Sequence, residues 1–260
     1  MSRNILFAFR AARTAISHPI EAIDRLDIAR EGREAGTPTD LPDARPDVDE
    51  AVHAFIGVPG CQACAPELAQ VIDAMTRRLG VATYHDGGTA LAHAVWIATR
   101  HGRPSRAVET GAGQGVTTNC ILSAMELNGA SGHLTSIDLP PLSTEWHGSV
   151  GGAVDPEIRS RWTYQRGAVR RHLPRILAKN SPIGLYVHDA LHTYASMQFE
   201  FSRAWEHLED GGFLIADDVH CNRAFQDFST DKGHVVIAEP AKNGAVGVLR
   251  KAPLDEMRHG

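Results

Sequence analysis

The stretch VETGAGQGVTTN, Val108 to Asn119, sets an acid before glycines at 111, 113 and 115 and then a run able to open a helix. Glycine turns tightly and lets backbone N–H groups approach a ligand, and the first turn of a helix adds the positive end of its dipole. Glu109, Gly111, Ala112, Gly113 and Gly115 are therefore candidates for holding a nucleotide-bearing ligand. Asp138, closing HLTSID, is a carboxylate able to accept both hydroxyls of a ribose. Further along, HDALHTY carries Asp189 and His192, and IADDVH carries Asp217 and Asp218. Three acids in one place would repel one another and invite a hard divalent cation, while an imidazole titrating near neutrality suits proton transfer.

These residues need a frame. From Arg106 onward short apolar runs alternate with helical patterns, the signature of βαβ units and a parallel sheet. Strands are expected at 106–110, 133–138, 162–167, 183–189 and 212–218, with helices at about 117–128, 168–178 and 195–209. HVVIAEPAKNGAVGVLRK then gives two β-rich runs around Asn243-Gly244, a hairpin signal that leaves no room for a crossover helix. The expected fold is α/β, a Rossmann-like doubly wound seven-stranded sheet with a terminal antiparallel strand and a helical N-terminal extension. In such a sheet ligands lie at the carboxyl ends of the strands, where the strand order switches, so Asp189, Asp217 and Asp218 should converge near the glycine loop. Successive strand residues face opposite sides, so Asp217 and Asp218 share an ion only if the strand has ended before them.

The division expected along the chain is 1–80, a helical extension or lid, and 81–260, the ligand-binding domain. Ile20, Ile23, Leu26 and Ile28 recur at near-helical spacing and predict a short amphipathic helix. Residues 35–48, rich in proline and aspartate, read as a linker, and helical patterns follow at 65–80 and 88–102. The lone CQAC pair, Cys61 and Cys64, has no second CxxC and is assigned no function.

A formal charge of −5 argues against a broad basic surface for nucleic acid, and the RRHLPR cluster at 170–175 is too short to change that. No apolar run reaches the ~18 to 20 residues of a membrane span. The chain therefore reads as a soluble, cytoplasmic protein with a small-molecule partner and no nucleic-acid or membrane partner, with the N-terminal helices available as a lid or a contact between identical subunits.

The spacing of ETGAGQG differs from the dinucleotide pattern G-x-G-x-x-G, because the third glycine comes one residue early. It resembles the first motif of class I S-adenosylmethionine-dependent methyltransferases, E/D-x-G-x-G-x-G. The acid at the end of the second strand and the terminal hairpin extend that resemblance over roughly residues 82–250. The resemblance implies that Glu109 sets the loop, that Gly111 and Gly113 approach the cofactor and that Asp138 holds its ribose. After the third strand many members carry an acid or amide for the adenine amine; this chain has Gly167-Ala168, which leaves that contact to backbone groups.

HDALHTY and IADDV further resemble the D-x-x-H-x-Y methyltransferases and the metal-dependent O-methyltransferases of sugars and antibiotics. That likeness implies Mg²⁺ on Asp189, Asp217 and Asp218, and His192 as base toward a hydroxyl of a natural-product or sugar-like acceptor. His220 is a second candidate base, His188 is expected in packing, and Tyr194 lines or underlies the pocket. Three alternatives stay open at this point: a metal-independent methyltransferase acting on a carboxylate or amine, an NAD(P)-dependent oxidoreductase, and a non-catalytic binding protein.

Overall fold

The computed structural model describes residues 13–14, 16–33, 36–57, 64–80, 90–129, 131–142, 150–239 and 243–252. Four helices come first: α1 (Pro19–Glu31), α2 (Val48–Ile56), α3 (Cys64–Leu79) and α4 (Ala90–Gly102). Then β1 (Arg106–Thr110), α5 (Val116–Leu127), β2 (His133–Asp138), β3 (Trp162–Arg166), α6 (Val169–Asn180), β4 (Ile183–His188), α7 (Tyr194–His207) and β5 (Leu208–Ala216) alternate. The short helix α8 (Ala224–Ser229) leads to β6 (His234–Glu239) and β7 (Gly244–Arg250).

The seven strands form one sheet in the order β3-β2-β1-β4-β5-β7-β6. The first five are parallel, and β7 enters antiparallel between β5 and β6, as the hairpin signal predicts. The chain builds outward from β1 through β2 to β3 and then returns to place β4 on the other side of β1. The gap between the ends of β1 and β4 is thus the switch point at which such sheets bind ligands. Strand β5 begins at Leu208 rather than at Gly212, and the shift in its register against β4 between Ile183 and Leu185 absorbs the glycines at 211 and 212.

The proline- and aspartate-rich segment does more than link. Arg45 bridges to Ile237 beside β6, and the Asp47 side chain caps α2 by accepting from Glu50 N–H at 3.0 Å. Helix α2 is missing from the sequence reading because its apolar face is only two turns long. It nevertheless supplies Ala51, Val52 and Ile56, and α3 supplies Leu68, to the same core cluster that holds Trp96 of α4 and Leu185 and Ile215 of the sheet.

On the opposite face of the sheet one carboxylate ties three elements together. Glu200 of α7 is fully buried. Its Oε2 accepts from Thr110 Oγ1 of β1 at 2.6 Å, Tyr186 OH of β4 at 2.8 Å and His188 Nδ1 of β4 at 2.8 Å. Burial alone would raise its pKa, but the His188 charge and the three donors outweigh it and hold it below the usual range. Removing one member of a buried ionic network strands the others without partners. Glu200→Ala is expected to cost about 3–5 kcal/mol in urea unfolding, and a loss under about 1 kcal/mol would show that this network does not hold β1, β4 and α7 together.

Candidate active site

The glycine loop follows β1, with φ of 87° at Gly111, 50° at Gly113 and 89° at Gly115. These are left-handed conformations that a side chain disfavours. Space decides the matter at Gly111, where a Cβ would lie 1.7 Å from the carbonyl oxygen of Asp189. The loop after β1 therefore lies flat on the loop after β4, and Asp189 N–H donates to Thr110 O at 2.9 Å across the same seam. Asp138, ending β2, accepts from Gly113 N–H at 3.0 Å. Burial raises its pKa, opposed by that N–H, by Leu139 N–H and by the charges of Arg166 and Arg25.

Glu109 lies beneath this loop, fully buried, with its Oε2 accepting from Thr118 Oγ1 and Ser136 Oγ at 2.6 Å each. Trp162 Nε1 in turn donates to Ser136 Oγ at 2.8 Å. Burial pushes Glu109 up to about 7, because two hydroxyl donors do not replace the lost water and Asp138 adds a like charge.

At the ends of β4 and β5 the geometry separates the expected acids. Asp217 follows Ala216, the last residue of β5, donates its N–H to His188 O at 2.9 Å and is buried. Asp218 takes φ 51°, which turns the chain, and its carboxylate faces histidines: Oδ2 is 3.5 Å from His192 Nδ1 and Oδ1 is 3.8 Å from His220 Nδ1. The other nitrogen of His192, Nε2, lies 3.9 Å from Asp189 Oδ1. Its ring meets His188 edge-on at 5.3 Å. Burial and the neighbouring His188 push His192 down to about 4, against the pull of Asp218 and Glu200, so it is neutral at neutral pH and its ring carries a free lone pair.

One cavity of about 690 Å³ joins these parts. Gly111, Ala112, Gly113 and Asp138 line one end, Gly167 and Ala168 the flank, and Asp189 and Asp217 the other end. Helix α1 closes it with Asp24, Asp27, Ile28 and Glu31. Residues 108–219, the segment that contributes most of this lining, match a family described as "Methyltransferase domain". Over this segment the chain is similar to a methyltransferase domain.

The fold agrees. The O-methyltransferase of Bacillus cereus, solved with S-adenosylhomocysteine, superposes with a TM-score of 0.52 at 15% identity, over 79% of this chain and 98% of its own. Cofactor-bound Rv0187 from MTB superposes with a TM-score of 0.50 at 18% identity, over 82% of this chain and 100% of its own. No curated protein sequence matches the chain.

Within this segment the structure sorts the expected residues. Gly111, Ala112, Gly113, Asp138, Gly167, Ala168, Asp189 and Asp217 face one cavity, whereas Glu109 is sealed beneath the loop. Gly115, at φ 89°, is the N-cap of α5, where a Cβ would meet Gly151 Cα at 2.8 Å. The expected magnesium trio is not gathered. Among the described residues, the His, Cys, Asp or Glu group whose ligand atoms all fall within 4.8 Å of one another is Asp218, His220 and Cys221. Asp218 has turned off the strand and does not line the cavity, so Asp189, Asp217 and Asp218 do not fit a shared hard cation. Tyr194 neither lines nor underlies the pocket; it is exposed and donates to Asp227 Oδ2 at 3.2 Å. His188 is in packing, as expected. Cys61, the side chain of Cys64 and residues 81–89 lie outside the described residues.

Helix α1 reverses the sequence reading. Ile20, Ile23 and Leu26 are exposed, while Asp24 is buried and Glu21 and Glu31 are half-buried. Arg171 grips Asp24, Arg170 holds both oxygens of Glu31 at 3.1 Å, and Arg166 and Arg25 share Glu21. The arginine cluster dismissed as too short for a polyanion thus docks this helix over the cavity. Acids at 21, 24 and 31, on one side of the helix, were the available signal.

Glu109 yields a pH prediction. A carboxyl raised from 4.5 to about 7 keeps its proton in the native state while the unfolded chain loses one. The stabilisation is complete below about pH 4.5 and is lost as pH rises to 7, on the order of 3 kcal/mol. Glu109→Gln is expected to flatten the fall in unfolding free energy between pH 5 and 7, read by urea denaturation; an unchanged slope would show that Glu109 is ionised in the native protein.

Proposed function

We propose that the protein transfers the methyl group of S-adenosylmethionine to an oxygen of a small-molecule acceptor. The observation that carries this reading is the single cavity running from the Gly111–Gly113 loop and Asp138 to Asp189 and Asp217, with neutral His192 behind Asp189. Asp138 takes the ribose hydroxyls, the glycine loop takes the methionine moiety, and backbone groups at Gly167 and Ala168 face the adenine. The cavity, at about 690 Å³, is of a size for small molecules, and a net charge of −5 offers no field for a polyanion. No helix among the described residues is long and apolar enough to cross a membrane.

Methyl transfer is an in-line displacement: the acceptor oxygen forms a bond to the methyl carbon as the carbon–sulfur bond breaks and its electron pair goes to sulfur. The enzyme's part is alignment and a place for the proton. Asp189 orients the acceptor hydroxyl toward the methyl group. The hydroxyl proton grows acidic as the carbon–oxygen bond forms, and it passes by way of the Asp189 carboxylate to His192 Nε2, which lies 3.9 Å from Asp189 Oδ1 behind the cavity lining. Asp218, on Nδ1, is the positioning residue. Magnesium has no step here, because its expected ligands do not meet.

Two measurements test the reading. Calorimetry is expected to show binding of S-adenosylhomocysteine and none of NAD, and the reverse would replace the methyltransferase reading with an oxidoreductase one. His192→Asn is expected to lower kcat by about 10²- to 10⁴-fold while leaving the Kd for S-adenosylhomocysteine within about threefold; an unchanged kcat would remove His192 as the proton acceptor.

A further inference from the structure

The turn that takes Asp218 away from the cavity builds a second constellation. Cys221 N–H donates to Asp218 O at 3.0 Å and closes the turn, while Val219, fully buried, fixes it to β7 through Val219 N–H to Ala245 O at 3.0 Å. Asp218, His220 and Cys221 are thereby brought together, with ligand atoms within 4.8 Å of one another. The two ring nitrogens of His220 face different partners, Nδ1 lying 3.8 Å from Asp218 Oδ1 and Nε2 3.9 Å from Cys221 Sγ, so one ion takes one of them. Ligand atoms around a tetrahedral ion with bonds of about 2.0–2.3 Å stand roughly 3.3–3.8 Å apart. One donor atom from each residue lies within 4.8 Å of the others, about an ångström wider than that spacing, a gap that small side-chain rotations close around an ion.

A second observation comes from the facing strand ends. At Gly244, the position a Cβ would take lies 3.4 Å from Asp218 Oδ1, 3.7 Å from Glu239 Oε2 and 3.7 Å from His220 Cε1. Glycine there leaves open the space these groups share. Glu239 is only 6% exposed. Its Oε1 accepts from Ala90 N–H at 2.5 Å, but Oε2 is buried with no hydrogen-bond partner among the described residues, and the same holds for His220 Nδ1. A buried carboxylate oxygen left without a donor is costly, and a cation beside it removes that cost.

We infer that Asp218, His220 and Cys221 form a site for a transition-metal ion of the zinc type, with Glu239 Oε2 facing its open side. Thiolate, imidazole and carboxylate together select zinc or cobalt over magnesium, which favours oxygen ligands and keeps its waters. The site is separate from the proposed acceptor pocket but touches it: Asp218 Oδ2 is also the neighbour of His192 Nδ1, so the ion would fix the carboxylate that positions His192. Binding of the ion does not rest on the methyltransferase reading.

The test uses the full chain and metal alone. Zinc is expected to stay at one equivalent after dialysis, and Co²⁺ in its place is expected to give the intense near-ultraviolet thiolate-to-cobalt band and the visible bands of a tetrahedral ion. Cys221→Ser, folded by circular dichroism, should lose the thiolate band and bind zinc about 10- to 100-fold more weakly. A Cys61→Ser/Cys64→Ser double variant should keep both the band and the affinity, and excess Mg²⁺ should not displace the ion. Three results would overturn the site: no zinc retained by the folded chain, a thiolate band that survives Cys221→Ser, or a band lost in the Cys61→Ser/Cys64→Ser variant.

Discussion

The contact on which the site depends is between two backbones. Gly111 lies against the carbonyl of Asp189 so closely that any Cβ would overlap it. That contact holds the loop after β1 on the loop after β4, at the one place in the sheet where successive connections diverge. It sets Gly111 and Asp189, which line opposite ends of the cavity, in a fixed relation, so the two ends share one frame. Asp138 reinforces it from β2 through Gly113 N–H, and Asp217 from β5 through His188 O.

Around this seam the protein sets buried carboxylates to opposite states. Glu109 and Glu200 are both fully buried, yet burial raises the first to about 7 while the second is held below its usual range. Their partners make the difference: hydroxyl donors and a nearby Asp138 for Glu109, a histidine and further donors for Glu200. Neutral His192 sits where these influences meet, and Asp218 joins it to the cluster of His220 and Cys221. Helix α1 adds Asp24 and Glu31 at the cavity, matched by Arg171 and Arg170 of α6, with Glu21 of the same helix held by Arg166 of β3.

The sheet was legible because its signals are local. Alternation of short apolar runs and helical patterns, and Asn243-Gly244 in a hairpin, need no knowledge of distant residues, and the glycine register separated this loop from a dinucleotide one. The cavity lining was legible as far as strand ends determine it, which covers Asp138, Asp189 and Asp217. What failed depends on partners far along the chain. Ile20, Ile23 and Leu26 implied a buried apolar stripe, but Arg166, Arg170 and Arg171, more than a hundred residues away, turn the acids inward instead. The Asp217-Asp218 pair implied one ion, but a single left-handed residue sends the second acid to a different cluster. Glu200 gave no signal, since a glutamate in an amphipathic helix ordinarily faces water.

The central claim is that the cavity at the β1–β4 switch point holds S-adenosylmethionine with its reactive end at Asp189. A crystal structure of the complex with S-adenosylhomocysteine tests it most directly. The account predicts the ribose hydroxyls on the Asp138 carboxylate, the amino-acid moiety along Gly111–Gly113 and the sulfur directed at the Asp189–Asp217 end, beneath α1. S-adenosylhomocysteine bound with its ribose away from Asp138, or outside this cavity, would contradict it.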